Sequence, residues 1–146
     1  MMKVLFLDID GVLNSHAYDV KQALAGGDLM APDPKAVLRL LWILQETGAK
    51  VVLSSSWRLD QGAVEYLKAH GIPIHDVTPR GDAFGCRAAE IEAWLLEHLP
   101  DCNAEDIVIL DDEPDAGVGF EPRFVQTDAK VGLTAEDATR VIGLFT

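Results

Sequence analysis

"VLFLDIDGVLN", Val4 to Asn14, decides how the rest of the chain is read. Its first six residues carry five apolar side chains, the pattern of a strand bound for the interior of a sheet, yet the run contains two aspartates and stops at a glycine. In extended backbone, residues two apart share a face, so Asp8 and Asp10 are expected to project to one side, roughly 6.6 Å apart at about 3.3 Å per residue. Two ionised carboxylates held that close to each other and to an apolar wall repel and lose hydration. A metal cation or a shared proton would offset the penalty, so the stretch points to a cation site or a reaction centre. Gly11 fits the same picture, because the chain must turn sharply beside a ligand where a Cβ would crowd it.

The remainder of the chain sets the context for this motif. At 146 residues and 49% apolar content, the sequence is long and hydrophobic enough to bury one ordinary core, and it reads as a single domain over 1–146. Twelve basic residues against 24 acidic ones give a formal charge of -12, which disfavours a general role in coating nucleic acid. Cys86 and Cys102 form neither a CxxC pattern nor a dense framework, so free thiols in a reducing, cytoplasmic setting are expected. The N-terminal apolar run is too short and too acidic for a signal peptide, and no stretch approaches the ~18 apolar residues of a membrane span. No membrane association is expected.

Beyond the first strand, the pattern alternates. After a loop containing Gly and Asp, "PDPKAVLRLLWILQETGAK" reads as a helix opened by Pro34 and ended by Gly48. "VVLSSSW" reads as a buried strand, "GAVEYLKAHG" as a helix, and "PIHDVT" as a short strand. "CRAAEIEAWLLEHLP" is a helix with Ile91, Trp94, Leu95 and Leu99 on one face. "DIVILDDEPD" and "RFVQTD" supply two more strands, and "LTAEDATRVIGLF" a closing helix whose Thr134 and Asp137 have capping-box spacing. Such alternation predicts an α/β fold: a three-layer, doubly wound, Rossmann-like and mostly parallel sheet with helices on both faces.

In open sheets of this kind ligands sit beyond the carboxyl ends of the strands. Here "KVLFL" leads into Asp8 and Asp10, "KVVL" into Ser54, Ser55 and Ser56, and "DIVIL" into Asp111 and Asp112. Taken singly, each is an ordinary turn or cap residue, and Asp112 with Pro114 makes a plausible turn. Taken together, three apolar strands deliver four carboxylates and a set of hydroxyls to one edge.

The ordered motifs "DIDGV", "VVLSS", an Arg at a helix start, and "ILDDEPD" resemble the haloacid dehalogenase (HAD) superfamily of phosphatases and phosphotransferases over nearly the whole chain. Within it, "LDIDGVLN", "SSSWR" and "LDD" look most like the small HAD domains of RNA-repair proteins, similar to polynucleotide phosphatase domains. The resemblance implies a Mg²⁺-dependent phosphohydrolase that acts on phosphomonoesters through an aspartyl-phosphate intermediate. It implies Asp8 as nucleophile and Asp10 as the acid and base. It also implies a Mg²⁺ site built from Asp8, Asp111, the backbone carbonyl of Asp10 and, directly or through water, Asp112. Ser54, or Ser55 if the strand ends one residue later, would bond a phosphate oxygen, although a Ser there also suits a simple turn cap. With no lysine between Lys68 and Lys130, the basic phosphate ligand would be Arg87, with Arg80 next, and the opposing reading of Arg87 is a solvated helix charge. Arg58 is read either as a substrate contact or as a partner of Asp60. Gly11 would lie along the phosphate-binding loop. No insertion large enough for a folded cap separates these motifs, so the cleft is expected to be open. An oligonucleotide end is among the phosphorylated substrates such a cleft would admit.

Trp42, Trp57 and Trp94 read as packing residues, with Trp57 placed to face the cleft. His16, His70, His75 and His98 show no metal-ligand spacing. Glu113 reads as a loop residue, Asp115 as loop or metal neighbour, and Asp128 as a supporting group behind the site. Two other classes fit parts of the pattern: a phosphoacceptor signalling module, which normally carries its acceptor Asp on the third strand and a Lys on the fifth, and a catalytically silent HAD-like binding domain.

Overall fold

A computed structural model describes residues 2–27, 31–79 and 85–146. Five strands, β1 (Val4–Leu7), β2 (Lys50–Leu53), β3 (Ile74–Val77), β4 (Ile107–Asp111) and β5 (Phe124–Gln126), form one sheet in the order β3-β2-β1-β4-β5. Every pairing is parallel. The sheet and its flanking helices form the expected three-layer α/β architecture.

The period-two alternation of the strands sorts their side chains onto two faces. Leu5, Leu7, Val51, Leu53, Val108 and Leu110 join one buried cluster with residues of α2 (Pro34–Thr47), α3 (Gln61–Ala69) and α5 (Ala135–Phe145). Val4, Phe6, Val52, Ile107 and Ile109 join a second cluster with Ile91, Trp94 and Leu95 of α4 (Arg87–His98). Trp94 meets Phe6 edge to face, with ring centroids 5.6 Å apart, and its indole N–H donates to Asp76 Oδ2 at 2.8 Å. Leu99 packs at the margin of this cluster.

Local signals fix the helix ends. Asp33 caps α2 by accepting from Lys35 N, Pro34 opens the helix, and Gly48 closes it at a φ of 71°. Thr134 and Asp137 make both bonds of a capping box at the start of α5, with Asp serving where Glu or Gln is usual.

Chain direction locates the reaction edge. Going from β1 to β2 to β3 the chain moves one way across the sheet, and from β3 it returns past β1 to β4, so the strand order reverses between β1 and β4. That reversal opens a crevice at the carboxyl ends of β1 and β4. The parallel register pairs Leu7 with both Leu53 and Leu110. The residues that follow, Asp8, Ser54 and Asp111, therefore emerge at one level.

Two expectations are corrected. The segment read as a loop after the first motif contains a helix, α1 (His16–Ala25), capped by Ser15 and closed by Gly26. It buries none of its residues: Ala17, Val20 and Leu24 fall at helical spacing, but Val20 and Leu24 are left exposed. This single ten-residue helix is far smaller than a folded cap. Trp42, read as a packing residue, is 41% exposed on the outer side of α2 beside exposed Leu38 and Leu41.

Among the described residues no helix is long and apolar enough to cross a membrane. Cys86 and Cys102 are both free thiols.

Candidate active site

β1 ends at Leu7, and Asp8 continues the ladder by donating its N–H to Leu110 O at 3.0 Å. Ser54 does the same on the other side, donating to Leu7 O at 2.9 Å. These two bonds extend the sheet's register into the crevice and fix the backbone on which the polar side chains stand.

Asp8, only 3% exposed, lies with Asp111 and Asp112, and a carboxylate oxygen from each falls within 4.8 Å of the others. Arg87, at the first turn of α4, places Nη1 2.7 Å from Asp111 Oδ2 and 3.3 Å from Asp8 Oδ2. Three carboxylates thus face one guanidinium. Burial, then the neighbouring Asp111, pushes the Asp8 carboxyl up to about 8, against the opposing pull of Arg87. Burial also raises Asp111, while Arg87 and the Glu113 N–H, which donates to its Oδ1 at 2.9 Å, act the other way. Burial of Arg87 works against its charge, but Asp111 and Asp8 outweigh it and hold the guanidinium firmly protonated.

The donor set suits a hard divalent cation. All three groups offer carboxylate oxygen, and their combined negative charge exceeds what a single arginine neutralises. A cation there would relieve the like-charge burden that raises Asp8.

Asp10 departs from the expected arrangement. Because the strand stops at Leu7, the chain turns through Asp10 to Leu13, and alternation no longer applies. The carboxylate neighbours of Asp8 are Asp111 and Asp112, and the Asp10 side chain lies outside that cluster. Asp10 is exposed; its Oδ1 accepts from Asn14 Nδ2 at 2.9 Å and its Oδ2 from Trp57 Nε1 at 3.1 Å. Its expected metal role was through the backbone carbonyl, and that remains a proposal.

Gly11 adopts a φ of +82°, and a Cβ there would come within 2.4 Å of Asp112 Oδ2. The crowding that excludes a side chain therefore comes from Asp112, where the sequence reading had placed a ligand. Gly11 is held at both ends, its N–H donating to Asn14 Oδ1 at 3.0 Å and its carbonyl accepting from Thr127 Oγ1 at 2.7 Å.

The serines separate by function. Ser54 is fully buried, and its hydroxyl has no hydrogen-bond partner among the described residues. An unpaired buried hydroxyl at the crevice level is costly unless a ligand satisfies it. Ser55 Oγ instead accepts from Trp57 N at 3.2 Å and caps the short 3-10 turn Ser56–Leu59. Of the two serines, Ser54 is the one whose hydroxyl is left without a partner among the described residues.

Arg58 is also corrected. Its side chain is 6% exposed and bonds to Ser55 O at 2.7 Å, Thr78 O at 3.1 Å and Glu90 Oε2 at 2.5 Å. It joins the serine turn to the end of β3 and to α4, and it does not stand open to substrate. Asp60 caps α3 by accepting from Gly62 N and Ala63 N. Asp128 accepts from Lys130 N in a loop turn, and Asp115 is exposed in the 3-10 turn Pro114–Gly117; neither joins the carboxylate cluster. Arg80 lies outside the described residues.

The sequence reading missed Asn14, Thr127 and Glu90. Asn14 had a signal, since it stands four residues after Asp10 inside the first motif. Thr127 had none, because its contact with Gly11 spans 116 positions.

The class defined by this fold and edge is the HAD-like domain. A haloacid dehalogenase-like family hydrolase from Streptococcus pneumoniae shares the fold, with a TM-score of 0.55 and 12% identity over 96% of this chain and 90% of its own. The chain belongs to the family described as the HAD domain in Swiss Army Knife RNA repair proteins, whose model matches residues 4–138. No curated protein matches the chain.

Two outcomes follow from the buried groups. With its carboxyl raised from 3.8 to about 8, Asp8 keeps in the native state a proton that the unfolded chain releases, so metal-free stability should fall as pH rises between those values. Thermal unfolding in chelator should show this decline, and added Mg²⁺ should raise the midpoint more at about pH 8 than at about pH 5. Ser54→Ala removes a hydroxyl that makes no bond, so chemical denaturation should find it as stable as the parent or more stable by about 1 kcal/mol.

Proposed function

We propose that the protein is a Mg²⁺-dependent phosphohydrolase that acts on phosphomonoesters through an aspartyl-phosphate formed on Asp8, with a terminal phosphate of a nucleic acid as its substrate. The observation that carries this reading is the convergence of Asp8, Asp111, Asp112 and Arg87 with the unpaired Ser54 hydroxyl at the carboxyl edge of the sheet.

Asp8 is the nucleophile: its carboxylate oxygen attacks phosphorus as the ester oxygen departs, which divides one difficult displacement into two. Asp10 donates the proton that the leaving oxygen takes up, and in the second step it removes a proton from the water that attacks the aspartyl-phosphate. Arg87, already 3.3 Å from Asp8, offers guanidinium hydrogens to the phosphoryl oxygens, and the Ser54 hydroxyl supplies a further donor. Asp8, Asp111 and Asp112 would hold Mg²⁺ with the Asp10 backbone carbonyl. Bound there, the ion would neutralise the carboxylates and allow an anionic nucleophile to meet an anionic phosphate.

The placement of the acids weighs against a signalling module. They stand at the carboxyl ends of β1 and β4, while Asp76, the acid of the third strand, accepts from Trp94. A silent binding domain would leave the raised Asp8 carboxyl and the unpaired Ser54 hydroxyl without a purpose. Incubation with a small phosphodonor separates the three readings: turnover marks the enzyme, a persistent adduct the signalling module, and neither the silent domain.

Membership in an RNA-repair family supports the nucleic-acid substrate, and the formal charge of -12 limits how much of a strand can be engaged. At physiological salt the Debye length is about 8 Å, so distant acids are muted while contacts in the cleft are not. Only a few terminal nucleotides are then held.

Hydrolysis of an aryl phosphate should require Mg²⁺ and vanish in Asp8→Asn, because an amide cannot serve as nucleophile; full turnover by the purified variant would refute the mechanism. On end-phosphorylated oligonucleotides, kcat/KM should level off beyond a few nucleotides and fall gently with salt, since few phosphate contacts release few counterions. A steep rise with length, or activity confined to small metabolite phosphates, would reject the substrate and leave the hydrolase reading intact.

A further inference from the structure

The Asp10 carboxyl is exposed, so water could satisfy both of its oxygens without help from the protein. Each oxygen instead accepts one N–H from a different segment: Asn14 Nδ2 on Oδ1 at 2.9 Å and Trp57 Nε1 on Oδ2 at 3.1 Å. The two donors come from different segments, one from the turn after β1 and the other from the 3-10 turn after β2. A carboxyl gripped on both oxygens cannot rotate freely.

Both donors are themselves fixed. Asn14 is buried, and its Oδ1 accepts from Gly11 N at 3.0 Å, which orients the amide so that Nδ2 faces Asp10. The backbone N–H of Trp57 donates to Ser55 Oγ, Arg58 bonds to Ser55 O, and the Trp57 ring packs against the core cluster beneath. The Trp57 N–H lies at an exposed contact that water could replace, so the arrangement is informative about Asp10. Proton transfer is sensitive to the direction of the donor and acceptor, which gives a fixed carboxyl its value.

We infer that Trp57 and Asn14 are positioning residues that hold the Asp10 carboxyl in the orientation from which it delivers a proton to the leaving oxygen and later takes one from water. The inference rests on the phosphohydrolase reading and adds two residues that touch neither phosphorus nor metal in it. The step balances simply. As the phosphorus–oxygen bond to the leaving group breaks, the bond between phosphorus and Asp8 forms, and the proton on Asp10 passes to the departing oxygen. In the second step water adds to phosphorus, its proton returns to Asp10, and the bond between phosphorus and Asp8 breaks.

The test uses two substrates that differ in their need for an acid: a nitrophenyl phosphate, whose leaving oxygen departs without a proton, and an alkyl phosphate, whose leaving oxygen requires one. Trp57→Phe keeps an aromatic ring against the core, smaller than the indole, and deletes the N–H. It should slow steady-state turnover of the alkyl ester by about 10- to 100-fold, within the range that positioned acid–base groups contribute. With the nitrophenyl ester, rapid mixing should show a burst of nitrophenolate that keeps the parent rate to within about threefold, followed by a slowed steady state, because only hydrolysis of the aspartyl-phosphate still depends on Asp10. Asn14→Asp keeps the oxygen that accepts from Gly11 N and replaces the N–H that faces Asp10, so it should show the same split. If Asn14→Asp does not fold, Trp57→Phe decides the matter alone. Equal losses on burst and steady state for both esters would mean a merely structural role, and unchanged kinetics would mean none; either result overturns the inference while the hydrolase reading stands. A parent protein inert towards both esters in Mg²⁺ would overturn the hydrolase reading and the inference with it.

Discussion

The site depends on a backbone constraint before it depends on any side chain. β1 is bonded in parallel to β2 on one side and β4 on the other, with Leu7 level with Leu53 and Leu110. The next bonds, from Asp8 N to Leu110 O and from Ser54 N to Leu7 O, carry that alignment one residue further. A slip of one residue in either pairing would turn Asp8 or Ser54 towards the other face, because strand side chains alternate. The apolar strands enforce the alignment, since the same slip would move Leu5, Leu7, Val108 and Leu110 out of their cluster. The core therefore specifies the chemistry through register.

On this frame the protein maintains an electrostatic imbalance. Three carboxylates share one arginine at a place where two of the acids are buried; burial raises both the Asp8 and the Asp111 carboxyls, and the neighbouring Asp111 adds to the rise of Asp8. Ser54 adds a buried hydroxyl with no partner among the described residues. Elsewhere comparable groups are satisfied: Arg58 by Glu90 and two carbonyls, Arg123 by the carbonyls of Ile107, Glu105 and Leu144, and Asp76 by Trp94. Unrelieved polarity is thus concentrated at the crevice, the usual mark of a place prepared for a ligand.

Much of this was legible in the chain. The strands showed as apolar runs, the crevice as acids and serines placed just after them, and α2 and α5 through Pro34, Gly48 and the Thr134–Asp137 box. Alternation of strand and helix gave the layered sheet, and the ordered motifs gave the family to which the chain belongs. The misreadings have physical causes. α1 buries none of its residues, and the short spacing of Ala17, Val20 and Leu24 marks no core-facing side. Asp10 was placed beside Asp8 by extending strand geometry three residues past Leu7, where the strand ends. Arg58 looked like a substrate ligand because a sequence shows a charge but not the carbonyls and Glu90 that take it up.

The sequence by itself determined which groups reach the carboxyl edge, because local periodicity marks the strands and the polar residues follow them directly. Only the tertiary structure decided how those groups divide their work. Asp112 rather than Asp10 completes the carboxylate cluster, Arg87 bridges Asp8 and Asp111, Ser55 caps a turn while Ser54 is left unpaired, and Asn14 and Trp57 grip Asp10. Each of these depends on side-chain direction or on contacts between distant segments, such as the 47 positions between Asp10 and Trp57. Such contacts are set by the packing of the whole sheet, and no local pattern encodes them.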